Sequence, residues 1–185
     1  MKRVLTLTGG VLVLMLTLVA CTTEVTAERM QFALSDSGTI GYEVSPTGAI
    51  TVETRFMRFR NAAGAYGVTL TEYRIAFFDE NDDPIDIGGS EQSGSMNMFV
   101  PAGIQCDVPD EVYGCSLGAE GWRFAPGAEV VTPQGYQLLP ASIAFAHIAA
   151  SFPVGWYGEI EFTGFDTLSR AFTSDAYQIA ITAPD

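Results

Sequence analysis

The chain has 185 residues, of which 22 are acidic and nine basic, for a net charge of −13 at pH 7. This length predicts a single domain, and with 48% hydrophobic residues the chain can bury a core. A surface this acidic repels nucleic acid and anionic headgroups, so we exclude a nucleic-acid-binding protein. The acidity indicates either solubility and adaptation to salt or a partner that is a cation or a basic protein.

The N-terminal residues have the features of an export signal. Lys2 and Arg3 precede an uncharged, largely apolar run over residues 4–19. The segment Leu18-Val19-Ala20-Cys21 resembles the lipobox of bacterial lipoproteins. This resemblance implies that residues 1–20 are a signal peptide cleaved before Cys21, and that lipidation of Cys21 adds diacylglyceryl and a palmitate-type acyl chain. An uncleaved anchor would need about 20 apolar residues, more than this run supplies, and an ordinary secretory signal is the other alternative.

The resemblance also implies a location in the cell envelope, with the membrane as partner through the lipid on Cys21. Several acyl chains hold a protein on a bilayer almost permanently. An Asp after the lipidated cysteine typically retains Gram-negative lipoproteins at the inner membrane, so Thr22 favours the outer membrane. In an organism with one membrane the protein would lie on its outer face. Residues 21–29 are predicted to be a lipidated tether, because they are polar and lack apolar periodicity.

Residues 30–185 are predicted to form an all-β domain, an antiparallel β-sandwich of seven to nine strands. Gly and Pro punctuate this region every eight to fifteen residues, and no amphipathic helix stands out. In the strand predicted over 49–60, Ile50, Val52 and Phe56 share a face, and the phase then slips near Met57. The strand over 66–78 slips similarly near residues 71–72. Further strands are predicted at 39–44, 85–87 and 95–100, while residues 101–135 are expected to be irregular.

The C-terminal part of the domain contains one ambiguous segment and one predicted hairpin. Residues 138–150 have a composition that suits a helix, yet Ile143, Phe145 and His147 alternate with other residues, and we favour a strand. Strands over 156–162 and 172–182 are expected to form a hairpin through a turn at 164–170. The run from Trp156 to Asp166 resembles the closing hairpin of Ig-like and fibronectin-III-like domains of bacterial surface lipoproteins, which implies an Ig-like sandwich.

Two cysteines remain once Cys21 is assigned to lipid. Cys106 and Cys115 form an even pair in a compartment that would be oxidising, and we predict a disulfide that closes the loop between them. The alternative is a metal or redox pair, although redox motifs place two residues between the cysteines and here there are eight. Tyr113-Gly-Cys115 is similar to the Tyr-x-Cys of immunoglobulin domains, but the close spacing predicts a local clamp instead of an inter-sheet bridge.

An acidic turn is the candidate metal site. Asp79, Asn81 and Asp83 have the one-three-five spacing of a calcium loop. Pro84, however, stands where that loop needs glycine. The residues therefore predict either weak calcium binding or an ordinary acidic hairpin turn, and no other cofactor is expected.

Glu159 and Glu161 are the candidate catalytic pair, because they share a strand face. The segment Gly158–Phe162 resembles part of the Glu-x-Asp-x-x-Glu strand of jelly-roll endoglucanases, whose carboxylates serve as nucleophile and acid. The third carboxylate is missing, since Thr163 and Gly164 stand in its place. The alternative is a solvated strand face carrying two acids.

The remaining candidates favour binding over catalysis. His147 is the single histidine of the chain, and without a Gly-x-Ser-x-Gly elbow it is expected to be a packed core residue or an edge contact. Trp122, Arg123 and Phe124 lie in the irregular region and are the candidate surface-binding residues. We therefore predict a membrane-anchored, non-catalytic binding or structural lipoprotein, with an envelope protein or a glycan as further partner. The alternatives are a calcium- or ligand-binding surface module and a glycoside hydrolase.

Overall fold

The structure, a computed structural model, describes residues 30–35, 38–88, 91–111, 115 and 118–184. The predicted signal peptide, Cys21 and the tether lie outside these residues. Within the described part of the chain, no helix has the length and apolar character needed to cross a membrane.

Short strands dominate the described residues. The first half of the chain contains β1 (Met30–Leu34), β2 (Tyr42–Val44), β3 (Ile50–Val52), β4 (Thr54–Arg55), β5 (Met57–Asn61), β6 (Val68–Phe78) and β7 (Gln92–Val100). The second half contains β8 (Ile104–Gln105), β9 (Arg123–Phe124), β10 (Val130–Val131), β11 (Tyr136–Gln137), helix α1 (Ala141–Ala149), β12 (Tyr157–Asp166), β13 (Ala171–Thr173) and β14 (Tyr177–Ala180). Nine of these described strands have three residues or more.

The strands form one large antiparallel sheet, one smaller sheet and several two-stranded ribbons. The large sheet has the order β13-β12-β6-β7, and β14 also pairs with β12. The smaller sheet has the order β1-β5-β10. The ribbons pair β2 with β3, β4 with β11 and β8 with β9.

The core lies between the two sheets. The Phe162 ring of β12 packs against Phe59 of β5 and Phe32 of β1, with ring centroids 4.9 Å and 5.0 Å apart. The large sheet also contributes Leu70, Ile75 and Ile160, which are fully buried. The predicted all-β, antiparallel sandwich is therefore confirmed, and alternation of buried and exposed residues along β6 and β12 produces it.

The two predicted phase slips have different causes. In β6 the pairing with β7 shifts between Leu70 and Glu72, which confirms a bulge at that point. In the 49–60 segment, strand pairing instead stops at Phe56, because β4 pairs with β11 while β5 pairs with β1. Phe56 is 42% exposed, so its assignment to the face of Ile50 and Val52 was wrong.

Residues 141–149 form a helix, so the predicted strand over 138–150 was wrong. Ile143, Ala144 and His147 are the buried positions, with the i, i+1, i+4 spacing of a helical face. The alternation misled because alanine is apolar too and has the highest helix propensity. Pro140 precedes the first turn, where its missing N–H costs no helical hydrogen bond.

The end of α1 forms a Schellman motif without glycine. The Phe152 N–H donates to the His147 carbonyl and the Ser151 N–H donates to the Ile148 carbonyl, each at 2.9 Å. Ser151 has φ +67° and Phe152 has φ +59°, both in the left-handed region. The Phe152 ring lies edge-on to the His147 ring, the apolar contact that accompanies this cap.

The C-terminal hairpin is longer than predicted. Strand β12 continues to Asp166, so the turn expected from Gly164 begins only after that residue. Gly164 lies at a shift in pairing with β6, where a Cβ atom would come within 2.0 Å of the Thr69 carbonyl oxygen. The glycine permits close backbone approach inside a strand instead of ending it.

Candidate functional site

The predicted disulfide is present. Cys106 and Cys115 are bonded with their Cα atoms 5.6 Å apart, a usual separation for this bond. The bridge closes a local loop, as the spacing predicted.

This loop belongs to a small lobe within residues 101–127, which is fixed to the sandwich at Gly103. The Gly103 N–H donates to the Ala65 carbonyl at 2.8 Å, and the Gly64 N–H donates to the Gly103 carbonyl at 2.7 Å. A Cβ atom on Gly103 would lie 1.7 Å from the Ala62 carbonyl oxygen, so only glycine fits this contact. The β8–β9 ribbon extends from this attachment.

Trp122, Arg123 and Phe124 lie on or beside that ribbon and are exposed. Trp122 is 42% exposed and Phe124 61%, and their rings pack edge to face with centroids 5.4 Å apart. Arg123 lies 3.6 Å from the Asp107 carboxylate and donates to the Gln105 side chain at 3.2 Å. The lobe therefore presents an aromatic pair next to Arg123, whose positive charge is paired with the Asp107 carboxylate.

The acidic turn uses the carboxylate of Asp79 to hold its own backbone. One oxygen of Asp79 accepts hydrogen bonds from the backbone N–H groups of Asn81 at 2.8 Å and Asp83 at 3.0 Å. These two bonds lower the pKa of Asp79 below its ordinary value. Asp82 has φ +63°, which this tight turn requires.

The same turn is attached to the start of β12. The Trp156 indole N–H donates to Glu80 at 2.8 Å, and the Tyr157 hydroxyl donates to Asp82 at 2.9 Å. Desolvation, together with the Asp82 carboxylate, raises the pKa of Tyr157 to about 12. Among the described residues, no group of three or more His, Cys, Asp or Glu side chains is arranged to hold a metal ion. Calcium binding by Asp79, Asn81 and Asp83 stays a prediction.

Glu159 and Glu161 lie on the outer face of the large sheet. The Gln178 amide donates to Glu159 at 3.2 Å, and Glu161 stands opposite Arg74 on β6. Glu72, two pairs along and opposite Thr163, is a third carboxylate on this face. The three acids are spread over an open sheet surface, whereas glycosidase carboxylates flank the scissile bond of an enclosed sugar.

His147 is a buried link between helix α1 and the ribbon of β2 and β3. It is 1% exposed, and its ring bonds to the Tyr42 hydroxyl at 2.8 Å and to the Pro153 carbonyl at 2.9 Å. The Trp156 ring packs on it with centroids 5.3 Å apart. The prediction of a packed core residue is therefore confirmed.

A cleft of about 490 Å³ lies where the start of helix α1 meets strands β3, β7 and β11. Its apolar wall is formed by Ile50, Val52, Leu139 and Pro140. Its polar lining is formed by Thr51, Glu91, Gln92 and Gln137. The Gln92 amide donates to the Gln137 carbonyl at 2.8 Å, while its own oxygen is buried without a hydrogen-bond partner in the structure.

The sequence analysis did not find this cleft. Its lining comes from three segments far apart in the chain, and one of them leads into the helix that was predicted as a strand. No local motif marks Gln92 or Gln137, since a lone amide in a strand carries no spacing signal. Only the fold brings these residues together.

Comparison with known proteins adds no identification. Neither a model of any protein family nor any curated protein matches this sequence.

Proposed function

We propose that this protein is a lipid-anchored lipoprotein of the cell envelope that acts by binding and not by catalysis. The observation that carries the proposal is the segment Leu18-Val19-Ala20-Cys21 behind a charged, apolar leader. The Cys106–Cys115 disulfide supports export, because such bonds persist in oxidising compartments. In this proposal residues 1–20 are removed and Cys21 carries the lipid. We also propose that the sandwich is Ig-like, on the resemblance of Trp156–Asp166 to the closing hairpin of such domains.

The cleft beside helix α1 is the proposed binding site. It combines apolar walls with a few converging polar groups, which is the usual composition of a small-molecule site. Glu91 is an acceptor, the Gln92 side-chain N–H group is a donor, and Thr51 adds a hydroxyl. None of the described residues that line this cleft is an arginine, and the chain is acidic, so an anionic ligand would be repelled. An uncharged ligand rich in hydroxyl groups, such as a neutral sugar, fits this chemistry best.

The anchor is tested by mass spectrometry of the N-terminal peptide from membrane-extracted protein. We expect a lipidated Cys21 at the N-terminus, and we expect C21S to keep its leader and lack the acyl mass. An unmodified Cys21 in the wild-type peptide would overturn the anchor.

The ligand class is tested on the membrane-extracted protein with neutral mono- and disaccharides by saturation-transfer NMR. We expect transfer to wild type and a loss of at least about tenfold in affinity in Q92A, since a lost hydrogen bond in a site that selects hydroxyls is costly. Q178A, which removes an exposed amide on the outer sheet face, is the matched control. Equal binding by Q92A and wild type would place the sugar elsewhere.

A further inference from the structure

The end of the sandwich where the chain enters β1 can be identified from its contacts. Met30, the first described residue, pairs with Asn61 at the end of β5. The Asn61 amide donates to the carbonyls of Pro101 at 2.8 Å and Tyr66 at 3.0 Å, and its backbone carbonyl accepts from Gly127 at 2.9 Å. The chain entry therefore lies beside both the 62–66 loop and the root of the disulfide lobe.

Two segments with exposed apolar side chains are attached near this same end. The lobe that carries Trp122 and Phe124 is bonded to Ala65 through Gly103. The next residue is Tyr66, and the Arg170 guanidinium lies 4.9 Å from the centroid of its ring. This contact holds the turn that follows β12 beside Tyr66. That turn exposes Leu168 by 58%, and Phe165 just before it is 52% exposed. We call Trp122, Phe124, Phe165 and Leu168 the basal face.

The acidic turn lies at the opposite end of the sandwich. Strand β6 runs from Val68, beside the basal face, to Phe78, which leads directly into the acidic turn. Eleven residues of strand span about 33 Å at roughly 3.3 Å per residue. Gln92 of the cleft pairs with Ile75, in the far half of the same strand. The acidic turn thus lies at the end of β6 opposite the exposed Trp122, Phe124, Phe165 and Leu168, while exposed apolar side chains also occur elsewhere, at Phe145 and Val154.

We infer that the basal face docks on the surface of the bilayer that holds Cys21. This inference rests on the proposed lipid anchor. Only eight residues, 22–29, separate Cys21 from Met30, and they reach at most about 28 Å when extended. A tether this short holds the chain-entry end of the domain close to the headgroups at a high effective concentration. Docking would direct the cleft away from the membrane.

The side chains of the basal face favour apolar insertion at the lipid interface over electrostatic attraction to charged headgroups. Trp and Phe favour the boundary between headgroups and acyl chains. Arg123 and Arg170 are both paired with carboxylates, so neither is a free cation for anionic lipid. The disulfide and the Gly103 contacts fix the aromatic pair before binding, which lowers the ordering cost. We therefore expect docking on zwitterionic lipid with little dependence on salt.

The test uses full-length, processed protein reconstituted in phosphatidylcholine vesicles that contain lipid brominated at shallow acyl positions. Bromine quenches tryptophan only at short range, and the chain has two tryptophans, Trp122 and the 8% exposed Trp156. In W156F, whose reporter is Trp122, we expect the emission to fall by about half, since interfacial side chains insert about 5–10 Å. In W122F, whose reporter is Trp156, we expect no quenching.

A matched control places a tryptophan at the far end of the molecule. V154W in the W122F/W156F background puts the reporter at an exposed position beside Gly155, which approaches Glu80 of the acidic turn. We expect no quenching there, so exposure alone does not explain a signal from Trp122. If W156F fails to fold, the difference between wild type and W122F gives the Trp122 contribution instead. F124S and L168S should each reduce the quenching of Trp122, and F145S, on the exposed side of α1, should not.

Flotation of the same vesicles separates the two proposals. Protein that carries no lipid and does not float with the vesicles overturns the anchor. Protein that is lipidated and floats, but whose Trp122 is not quenched, overturns the docking inference alone. Quenching of the V154W reporter to the same extent as Trp122 would also overturn it, since the domain would then have no preferred orientation.

Discussion

Tyr42 and His147, 105 positions apart in the chain, are joined by a 2.8 Å hydrogen bond buried between strand β2 and helix α1. The Pro153 carbonyl can only accept, so the Nε2 atom of His147 carries the proton that it receives. Nδ1 then accepts from the Tyr42 hydroxyl, whose pKa is raised by burial. One imidazole thus holds the ribbon of β2, the helix and the loop that follows it.

We expect Y42F to lower the free energy of unfolding by about 1–3 kcal/mol, because it leaves the buried Nδ1 atom without a donor. H147F removes the acceptor, and the double variant should cost less than the two single variants together. Urea unfolding of all four proteins gives the coupling energy of this double-mutant cycle. Additive effects of the two substitutions would contradict the hydrogen bond.

At the C-terminal cap of helix α1 we expect a substitution to raise the stability of the protein. S151G should stabilise the protein by about 0.5–1 kcal/mol, because glycine adopts a positive φ without strain. A150G is the matched control, since Ala150 has φ −79° and should only lose stability. Thermal unfolding of both variants measures the difference, and a loss in S151G as large as that in A150G would refute the strained cap.

The disulfide should contribute to stability through its loop. In the chain-entropy model, a bridge across nine positions contributes about 2–3 kcal/mol. We expect C106S/C115S to lower the free energy of unfolding by up to this amount and to expose the lobe to limited proteolysis between residues 101 and 127. If the lobe resists protease as well as wild type, Gly103 and the β8–β9 pairing alone hold it.

Tyr177 predicts a loss of stability in alkali. Its hydroxyl donates to the Met30 carbonyl, and burial together with Asp175 raises its pKa from 10.0 to about 12. The folded state therefore favours the protonated phenol, so this contribution is complete below pH 10 and is lost as the pH rises towards 12. Unfolding free energies measured over this range should fall less steeply in Y177F. An unchanged slope would contradict the assignment.

Asp79 predicts a loss of stability in acid. Its lowered pKa, due to the backbone N–H groups of Asn81 and Asp83, means that the folded state favours the carboxylate. The contribution is present above the ordinary value of 3.8 and disappears as the pH falls through the lower folded value. D79N should flatten this acid limb of the stability profile, whereas D83N, which keeps the accepting carboxylate, should not. Thermal melting curves of wild type, D79N and D83N, recorded with and without millimolar calcium, test the predicted calcium site.

The strands of the large sheet were predictable because they are long enough for alternation to be read. Along β6 the buried positions change parity at one place, and the bulge lies there. Helix α1 was not predictable in this way, since alanine satisfies both faces of an alternating pattern. Phe56 was misplaced because the chain changes its partner strand at that residue, and a change of partner leaves no mark in the local sequence.

Among the candidate sites, too, some features were predictable from the sequence and others were not. The spacing of Cys106 and Cys115 alone predicted a local clamp, since a nine-residue separation cannot span two sheets. The spacing of Asp79, Asn81 and Asp83 suggested a metal, but only the folded backbone showed that Asp79 binds two N–H groups of its own turn. Likewise only the folded chain showed that Trp156 and Tyr157 donate to Glu80 and Asp82.

The sequence by itself determined the properties that depend on local composition and period: the acidic composition, the β class and the disulfide loop. The tertiary structure decided what depends on contacts between distant segments. It placed the cleft between four separate elements, and it brought Trp122 and Leu168 to the end where Met30 enters the fold. The physical reason is that periodicity records which face of a strand is buried, whereas strand partners are chosen by packing across the whole chain.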